Sequence, residues 1–369
     1  MRWAGQLVGK GAPPQEADPQ LALFGAEAVV QRTFDTPEFR GVTFFEVQAK
    51  SVLNRVPGDF PMFGWTVNPY RGCTHACVYC FARRSHTYLD LDAGHDFDSK
   101  IVVKVNAPDV LRRELARPSW TREHVAMGTN VDTYQRAEGR YKLMPGIIDA
   151  LASADTPFSI LTKGTLILRD LDLLKRAAER VQVGLSISIG FVDESLWRAV
   201  EPGTPSPRRR LEAVRALAES GLGCGVLMAP ILPYLTDSPE QLRSTVEAIV
   251  HAGARSVSPI VLHLRPGSRE WFVAWLAERY PELRGRYRAL YGKGSYAAKW
   301  YQEEITRQVR AYAEEFGLGP PKPPRRLPAP ESETEPGPAK PGGDAADQGG
   351  RADQGDDDGP DHGEQLALM

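Results

Sequence analysis

The sequence predicts an α/β fold in which six strand–helix units form a partial (β/α)6 TIM-like barrel. Short β-rich runs alternate with helical patterns, the helices carry capping signals, and 369 residues are enough for one large core. Repeated strand–helix units imply parallel strands joined by right-handed crossovers. We therefore expect the residues that carry chemistry at the carboxyl ends of the strands.

The strands are predicted from six runs rich in β-branched and apolar residues, at 64–67, 124–130, 158–163, 181–189, 223–229 and 257–264. A segment with helical signals follows each run. The clearest helix begins at Ser238, which forms a capping-box pattern with Gln241 and has Pro239 at the first helical position. Apolar residues then recur with a helical period until Gly253 ends the helix.

The chain divides into four predicted segments: an irregular N-terminal extension (1–60), the barrel core (61–268), a C-terminal helical segment (269–316) and a disordered acidic tail (317–369). Prolines interrupt any long element in the extension. Within the core, the runs 101–105 and 110–116 are expected as the crossover from the first unit. The tail contains no aromatic residue, so it cannot bury enough apolar area to offset the entropy of ordering.

The composition is typical of a soluble globular protein, with 42% hydrophobic and 25% charged residues and a formal net charge of -2. No window approaches ~18 consecutive apolar residues, and the start lacks an apolar signal core, so we expect a cytoplasmic protein that does not enter a membrane. Residues 331–369 carry eleven acidic and two basic side chains, a net of -9, which leaves +7 for residues 1–330.

The positive charge of residues 1–330 suits a phosphate-bearing or nucleic-acid partner, and dispersed solvent-facing arginines are the alternative explanation. The triplet Arg208, Arg209 and Arg210 illustrates that alternative. It follows Ser206 and Pro207, which are typical of a helix N-cap and first turn. We expect all three arginines to face water.

Three of the four cysteines, Cys73, Cys77 and Cys80, lie within eight residues, directly after the first predicted strand. A disulfide-stapled secreted domain spreads its cysteines through a short chain, so this clustering indicates metal binding instead. An iron–sulfur cluster and a structural zinc site that includes His75 are both compatible with the spacing. Cys224, at the start of the fifth predicted strand, is expected to be a small core residue.

With Tyr79 directly before the third cysteine, this CxxxCxxC segment resembles the radical S-adenosylmethionine (radical SAM) superfamily. Four later segments, at 161–163, 185–188, 201–205 and 228–231, resemble its spore photoproduct lyase-like, DNA repair photolyase-like branch, so the resemblance covers more than half of the chain. It implies a barrel core of the radical SAM type. It also implies a 4Fe–4S cluster bound by the three cysteines, with S-adenosylmethionine chelated to the fourth iron.

The resemblance further implies which residues contact S-adenosylmethionine. The side chain before the third cysteine would contact adenine, a lysine at the end of the third strand would meet the carboxylate, and serines of the fourth strand would reach the ribose or methionyl group. A stretch after the second strand would receive the amine, and the end of the fifth strand would lie along the adenine. These positions are Tyr79, Lys163, Ser186 or Ser188, Gly128, Thr129 and Asn130, and Ala229.

In the superfamily, the reduced cluster cleaves the cofactor to a 5′-deoxyadenosyl radical, which abstracts hydrogen from a substrate. The resemblance implies the same here, with a flavodoxin or ferredoxin-type reductant and a nucleic acid or nucleotide among the possible substrates. The branch uses a cysteine beyond the second strand as hydrogen donor, and this chain has none there. Asp132 and Tyr134 are therefore our candidate catalytic residues, with Gln135, His263 and Arg265 as further candidate substrate contacts.

Two other functions remain compatible with the sequence. A non-catalytic iron–sulfur electron-transfer or sensor protein would hold the same cluster without cleaving S-adenosylmethionine. A zinc-stabilised nucleic-acid module would use the cysteines to hold a metal ion and the basic barrel to bind phosphates.

Overall fold

The computed structural model describes residues 29–57 and 63–319. The predicted tail beyond residue 319 and the first 28 residues of the predicted extension lie outside the described residues. Within those ranges the strands are β1 (Val29–Thr33), β2 (Thr43–Val47), β3 (Leu53–Arg55), β4 (Trp65–Val67), β5 (Tyr70–Arg71), β6 (Lys100–Lys104), β7 (Val125–Met127), β8 (Phe158–Thr162), β9 (Val183–Ser188), β10 (Gly225–Ile231) and β11 (Ser256–Val261).

The α-helices of the same residues are α1 (His95–Ser99), α2 (Ala107–Leu115), α3 (Arg136–Tyr141), α4 (Leu143–Ser153), α5 (Leu171–Ala178), α6 (Glu194–Val200), α7 (Pro207–Glu219), α8 (Pro239–His251), α9 (Ser268–Arg279), α10 (Arg284–Tyr291) and α11 (Lys299–Glu315). Short 3-10 helices at Phe81–Leu89 and Thr165–Asp170 follow β5 and β8. No helix in these two ranges is both long and apolar enough to cross a membrane.

The main sheet has the strand order β11-β10-β9-β8-β7-β4-β3. Its six strands β4 and β7 to β11 run parallel, and β3 pairs with β4 in the antiparallel direction. Each of the six parallel strands overlaps one predicted from the sequence. The α/β fold with a parallel sheet and helical crossovers is therefore confirmed.

Helix starts follow the sequence signals closely. The Ser238 hydroxyl accepts a hydrogen bond from the Gln241 backbone N–H at 3.2 Å, and the Gln241 side chain accepts one from the Ser238 N–H at 3.3 Å. This capping box opens α8, as predicted. Ser206 caps α7 by accepting from the Arg209 backbone N–H at 3.3 Å.

Residues 29–57 differ from the expected irregular extension because they form strands. A second sheet has the order β1-β2-β6-β5, in which β1 is antiparallel to β2 and β2 is parallel to β6. Strand β2 is buried on both sides: Phe44 joins the main core, and Phe45 packs in a smaller cluster with Val102. The run predicted as an extended crossover is therefore β6 of this second sheet.

The end of β7 approaches the end of β8 so closely that only glycine fits at position 128. Gly128 has φ +87°, and a Cβ atom there would overlap the carbonyl oxygen of Leu161. Glycine adopts this left-handed conformation without the penalty that other residues incur. The backbone at the carboxyl edge of the sheet is thus fixed by sterics.

We predict that Gly128→Ala lowers the free energy of unfolding by at least about 2 kcal/mol, because both the positive φ and the overlap with Leu161 oppose a methyl group. Urea unfolding of the full chain measures this. Gly285→Ala is the control, since Gly285 lies in α10 with open space around it and should gain up to about 1 kcal/mol. Equal stabilities of the two variants would contradict this account of the strand ends.

Candidate active site

A cavity of about 160 Å³ lies at the carboxyl ends of β7 to β11, beside the loop that carries the three clustered cysteines. Cys73, Cys77 and Cys80 all line it. The same cavity brings together most of the predicted cofactor and catalytic residues, namely Tyr79, Gly128, Thr129, Asn130, Asp132, Lys163, Ser188 and Ala229. Its position agrees with the rule that parallel α/β folds place chemistry at the carboxyl edge of the sheet.

The three loop thiols are free; Cys73 and Cys77 are buried, and Cys80 is partly exposed. Burial raises the pKa of all three cysteines above the ordinary value, and the nearby Arg83 guanidinium acts in the opposite direction on Cys80. Within residues 29–57 and 63–319, no three His, Cys, Asp or Glu side chains converge on a point where one metal ion could bind. The donor set of three soft sulfur atoms fits an iron–sulfur group, whose several irons each need a ligand.

The Gln135 amide fixes the start of the cysteine loop. Its oxygen accepts a hydrogen bond from the Thr74 backbone N–H at 2.9 Å, and its nitrogen donates to the Gly72 carbonyl at 3.0 Å. Both groups flank Cys73 in the chain. Gln135, a candidate substrate contact in the sequence, is therefore committed to holding the loop.

Arg83 fixes the other end of the loop from a fully buried position. Its guanidinium donates to the Cys77 carbonyl at 3.0 Å and to both carboxylate oxygens of Asp98 at 2.9 and 3.0 Å. It also lies over the Trp271 ring, 4.8 Å from the centroid. A fork-shaped cation with so many partners orients the loop more rigidly than a single hydrogen bond does.

Lys163, Ser188 and Ala229 form one hydrogen-bonded series across three neighbouring strand ends. The Lys163 ammonium donates to the Ser188 hydroxyl at 2.7 Å, and that hydroxyl donates to the Ala229 carbonyl at 2.9 Å. The ammonium also lies 5.7 Å from the centroid of the Tyr79 ring. Three of the predicted cofactor residues are thus held in fixed relative positions.

A buried ion pair connects this series to the cysteine loop. Glu201 pairs with Arg210 and accepts a hydrogen bond from the Tyr79 hydroxyl, and Arg210 donates to the Ser188 carbonyl at 2.9 Å. Burial alone raises the pKa of Glu201, but Arg210, Lys163 and these hydrogen bonds outweigh it, so the net pKa lies below the ordinary value. Glu201 is therefore ionised at neutral pH.

The expectation that the whole arginine triplet faces water is wrong for Arg210, which is 1% exposed. It lies on the buried face of α7 with Ala213, Val214 and Leu217. Those residues recur at the spacing of a helix face that packs on a core, and this period is the signal that marks Arg210 as inward-facing. Glu201 and Arg210 were both absent from the site predicted from the sequence.

Asp132 lines the cavity, but both its carboxylate oxygens are already engaged. They accept hydrogen bonds from the Lys163 backbone N–H at 2.6 Å and the Thr162 hydroxyl at 2.5 Å, and His75 lies 3.3 Å away. Burial by itself raises the pKa of Asp132, but His75 and these donors lower it to about 2. The carboxylate therefore fixes the loop after β7 against β8 and against the cysteine loop.

Two of the predicted catalytic and cofactor residues lie outside this cavity. Tyr134 is buried elsewhere, with its hydroxyl donating to Asp170 at 3.0 Å. Ser186 lies earlier on β9 and does not line the cavity. Of the residues after the sixth parallel strand, His263 lines the cavity, and Arg265 lies 5.9 Å from the centroid of the Phe81 ring at the same edge. Cys224 is a buried core residue, as expected.

We predict that Arg210→Met lowers the free energy of unfolding by about 3–5 kcal/mol, because Glu201 is then left buried without its partner. Arg208→Met is the matched control, since Arg208 lies two residues earlier on the exposed side of α7 and should change stability by less than about 0.5 kcal/mol. Chemical denaturation of both variants measures the difference. Similar stabilities would contradict the role given to the ion pair.

Comparison with known proteins agrees with this geometry. A family model described as the radical SAM superfamily matches residues 67–247. Uncharacterized protein Rv2578c of Mycobacterium tuberculosis is 50% identical over 321 residues, which are 86% of this chain and 93% of that protein. Uncharacterized protein MJ0683 of Methanocaldococcus jannaschii is 31% identical over 196 residues, which are 53% of this chain and 70% of that protein.

Among solved structures, spore photoproduct lyase complexed with dinucleoside spore photoproduct has a TM-score of 0.57 and 18% identity, covering 75% of this chain and 80% of that chain. A variant of the same lyase with bound AdoMet and dinucleoside spore photoproduct has a TM-score of 0.55 and 17% identity, covering 74% and 79%. These similarities show that the fold is shared. The family match spans the cysteine loop and the cavity residues on β7 to β10. The chain therefore belongs to the radical SAM superfamily and is one of its enzymes.

Proposed function

We propose that Cys73, Cys77 and Cys80 bind a 4Fe–4S cluster and that the cavity beside them binds S-adenosylmethionine. The observation that carries the proposal is the convergence of three free thiols and the Lys163–Ser188–Ala229 series on one cavity. Bound together, the cluster and S-adenosylmethionine supply a 5′-deoxyadenosyl radical that takes a hydrogen atom from a substrate. Three cysteine ligands, and no fourth in the loop, suit a cluster that keeps one iron for the cofactor.

The residues of the cavity match the charged and polar groups of S-adenosylmethionine. Lys163 offers an ammonium to the methionyl carboxylate, and Ser188 offers a hydroxyl that its neighbours already orient. The Tyr79 ring and the backbone at Ala229 provide surfaces for the adenine. We assign Gly128, Thr129 and Asn130, which line the same cavity, to receive the methionyl amine.

The remaining walls of the cavity are apolar, which disfavours water at the place where the radical would act. Several apolar side chains from the ends of three strands and from the loop after β7 line the cavity, namely Leu161, Leu227, Ile260, Val261, Leu262 and Val131. A reactive intermediate is protected when the site around it is dry. The protein thus contributes ligation, orientation and exclusion of solvent, while the cofactors supply the chemistry.

We propose a nucleic acid or nucleotide as the substrate class and leave the particular substrate open. The proposal is supported by the shared fold with a lyase solved with a dinucleoside, and by Arg265 and Phe81 at the edge of the cavity, which suit a base and a phosphate. Cys224 is fully buried and lies at the opposite, N-terminal end of β10, so it does not supply a hydrogen-donor thiol at the cavity. We therefore do not propose the repair reaction of the lyase itself.

A flavodoxin or ferredoxin-type reductant belongs to this proposal because the cluster needs one electron for each cleavage. We also propose a cytoplasmic location, since free thiols that must bind iron suit a reducing compartment.

The test is anaerobic reconstitution with iron and sulfide, followed by reduction with dithionite and measurement of 5′-deoxyadenosine. We expect a 4Fe–4S cluster and 5′-deoxyadenosine from the wild type, and neither from Cys73→Ala, Cys77→Ala or Cys80→Ala. Cys224→Ala is the control and should keep both, because its thiol is buried away from the loop. A full cluster without 5′-deoxyadenosine would indicate an electron carrier or sensor, and bound zinc in place of iron would indicate a structural metal site.

We predict that Lys163→Met weakens S-adenosylmethionine binding by about tenfold to a hundredfold while leaving the iron content unchanged, because a charged hydrogen-bond donor is lost from the cavity. Calorimetric titration of the reconstituted protein measures the affinity. Lys175→Met, on the exposed face of α5, is the control and should bind as the wild type does. Unchanged affinity in Lys163→Met would remove Lys163 from the cofactor site.

A further inference from the structure

A second cavity, of about 240 Å³, adjoins the cysteine loop and shares only His75 with the first. Its walls come from the start of α3, the residues after β8 and the segment between α6 and α7. Arg136, Gly203 and Arg209 line it together with His75. No residue of the predicted cofactor set lines it.

The wall of this second cavity is in direct contact with the cysteine loop. The Gly203 backbone N–H donates to the His75 carbonyl at 3.0 Å, and a Cβ on Gly203 would overlap the Thr74 carbonyl oxygen. Thr74 and His75 lie between the ligand candidates Cys73 and Cys77 in the chain. The second cavity therefore reaches the loop segment between Cys73 and Cys77 without passing through the first cavity.

The accessible charge around the second cavity is positive. Arg136 and Arg209 are exposed, and neither pairs with a carboxylate of the described residues. The segments 136–141, 164–170 and 201–209 contain three carboxylates, all of them buried in ion pairs with arginines, namely Glu138, Asp170 and Glu201. Because those acids are internal, they do not offset the two arginines at the surface.

We propose that Arg136 and Arg209, around the second cavity, form the docking surface for an acidic one-electron carrier protein. This inference rests on the proposed function, which needs an electron for the group held by the cysteines. The first cavity is reserved for S-adenosylmethionine and substrate, so the electron donor must approach the loop from another direction. In each encounter the carrier is oxidised by one electron, and the iron–sulfur group held by the thiolates is reduced by one.

An acidic protein fits this surface better than a nucleic acid does. Single-stranded nucleic acid binds where bases stack on exposed aromatic rings, and the one aromatic residue of the second cavity, Tyr134, is 1% exposed with its hydroxyl bound to Asp170. Two unpaired arginines complement a negatively charged protein and accelerate its association, an effect that salt weakens.

The test compares the wild type with a double variant that carries both Arg136→Glu and Arg209→Glu. A strongly acidic flavodoxin is the probe. The dissociation constant of the two proteins at low ionic strength is measured by the fluorescence of the bound flavin, with and without the cluster. We expect it to rise about tenfold or more in the variant and the difference to shrink as salt is added. Dithionite, a small reductant, should support 5′-deoxyadenosine formation equally in both proteins.

The matched control is Arg288→Glu with Arg310→Glu, two exposed arginines of α10 and α11 that make no ion pair with the described residues. It should bind flavodoxin as the wild type does. The docking surface would be overturned if the Arg136→Glu, Arg209→Glu double variant bound flavodoxin as tightly as the wild type does. It would also be overturned if the control double variant lost as much affinity for flavodoxin. A variant that loses binding of a single-stranded oligonucleotide but keeps flavodoxin binding would overturn it as well. If the wild type formed no 5′-deoxyadenosine with dithionite, the proposed function would be refuted instead. The dissociation constant for flavodoxin, measured on the protein without the cluster, would still test the docking surface.

Discussion

The buried ion pair between Glu201 and Arg210 is the interaction on which the geometry of the site depends. Two opposite charges without solvent are stable only as a pair, so neither side chain can move alone. Glu201 holds the hydroxyl of Tyr79 in the cysteine loop, and Arg210 holds the carbonyl of Ser188 at the end of β9. The loop that offers the thiols and the strands that offer Lys163 and Ser188 are thereby fixed to each other. The proposed role of the cavity, which is to orient a flexible cofactor, needs this rigidity.

The main sheet was predictable because its parallel strands lie in short runs rich in β-branched and apolar residues, and a segment with helical signals follows each run. The Ser–Pro pairs that begin α7 and α8, and the capping box of α8, are local signals as well. The second sheet was not predictable in the same way. Strand β2 pairs with β6 more than fifty residues later, and the sequence pattern of a short strand does not say which distant strand it joins. The early strands thus looked like an irregular extension.

The site was predictable from the spacing of the cysteines and from the positions that the family resemblance implies. Three clustered cysteines, a lysine at a strand end and a serine on the neighbouring strand do converge on one cavity. The roles of Asp132 and Gln135 were not predictable, because their hydrogen-bond partners come from segments distant in the chain. Asp132 and Gln135 both support the backbone around the first cavity. Tyr134 lines the second cavity instead. The position of the two cavities on either side of the cysteine loop is likewise a tertiary property, and it divides the proposed cofactor site from a charged outer surface.

The central claim is that the cysteine loop leaves one coordination position for S-adenosylmethionine. Electron–nuclear double resonance of the reduced, reconstituted protein tests it directly, using S-adenosylmethionine labelled with ¹⁵N at the methionyl amine. The account predicts a hyperfine coupling between the cluster spin and the label that is too strong for a nucleus not bonded to iron. A bound cofactor whose ¹⁵N shows only the weak coupling of a distant nucleus would contradict it.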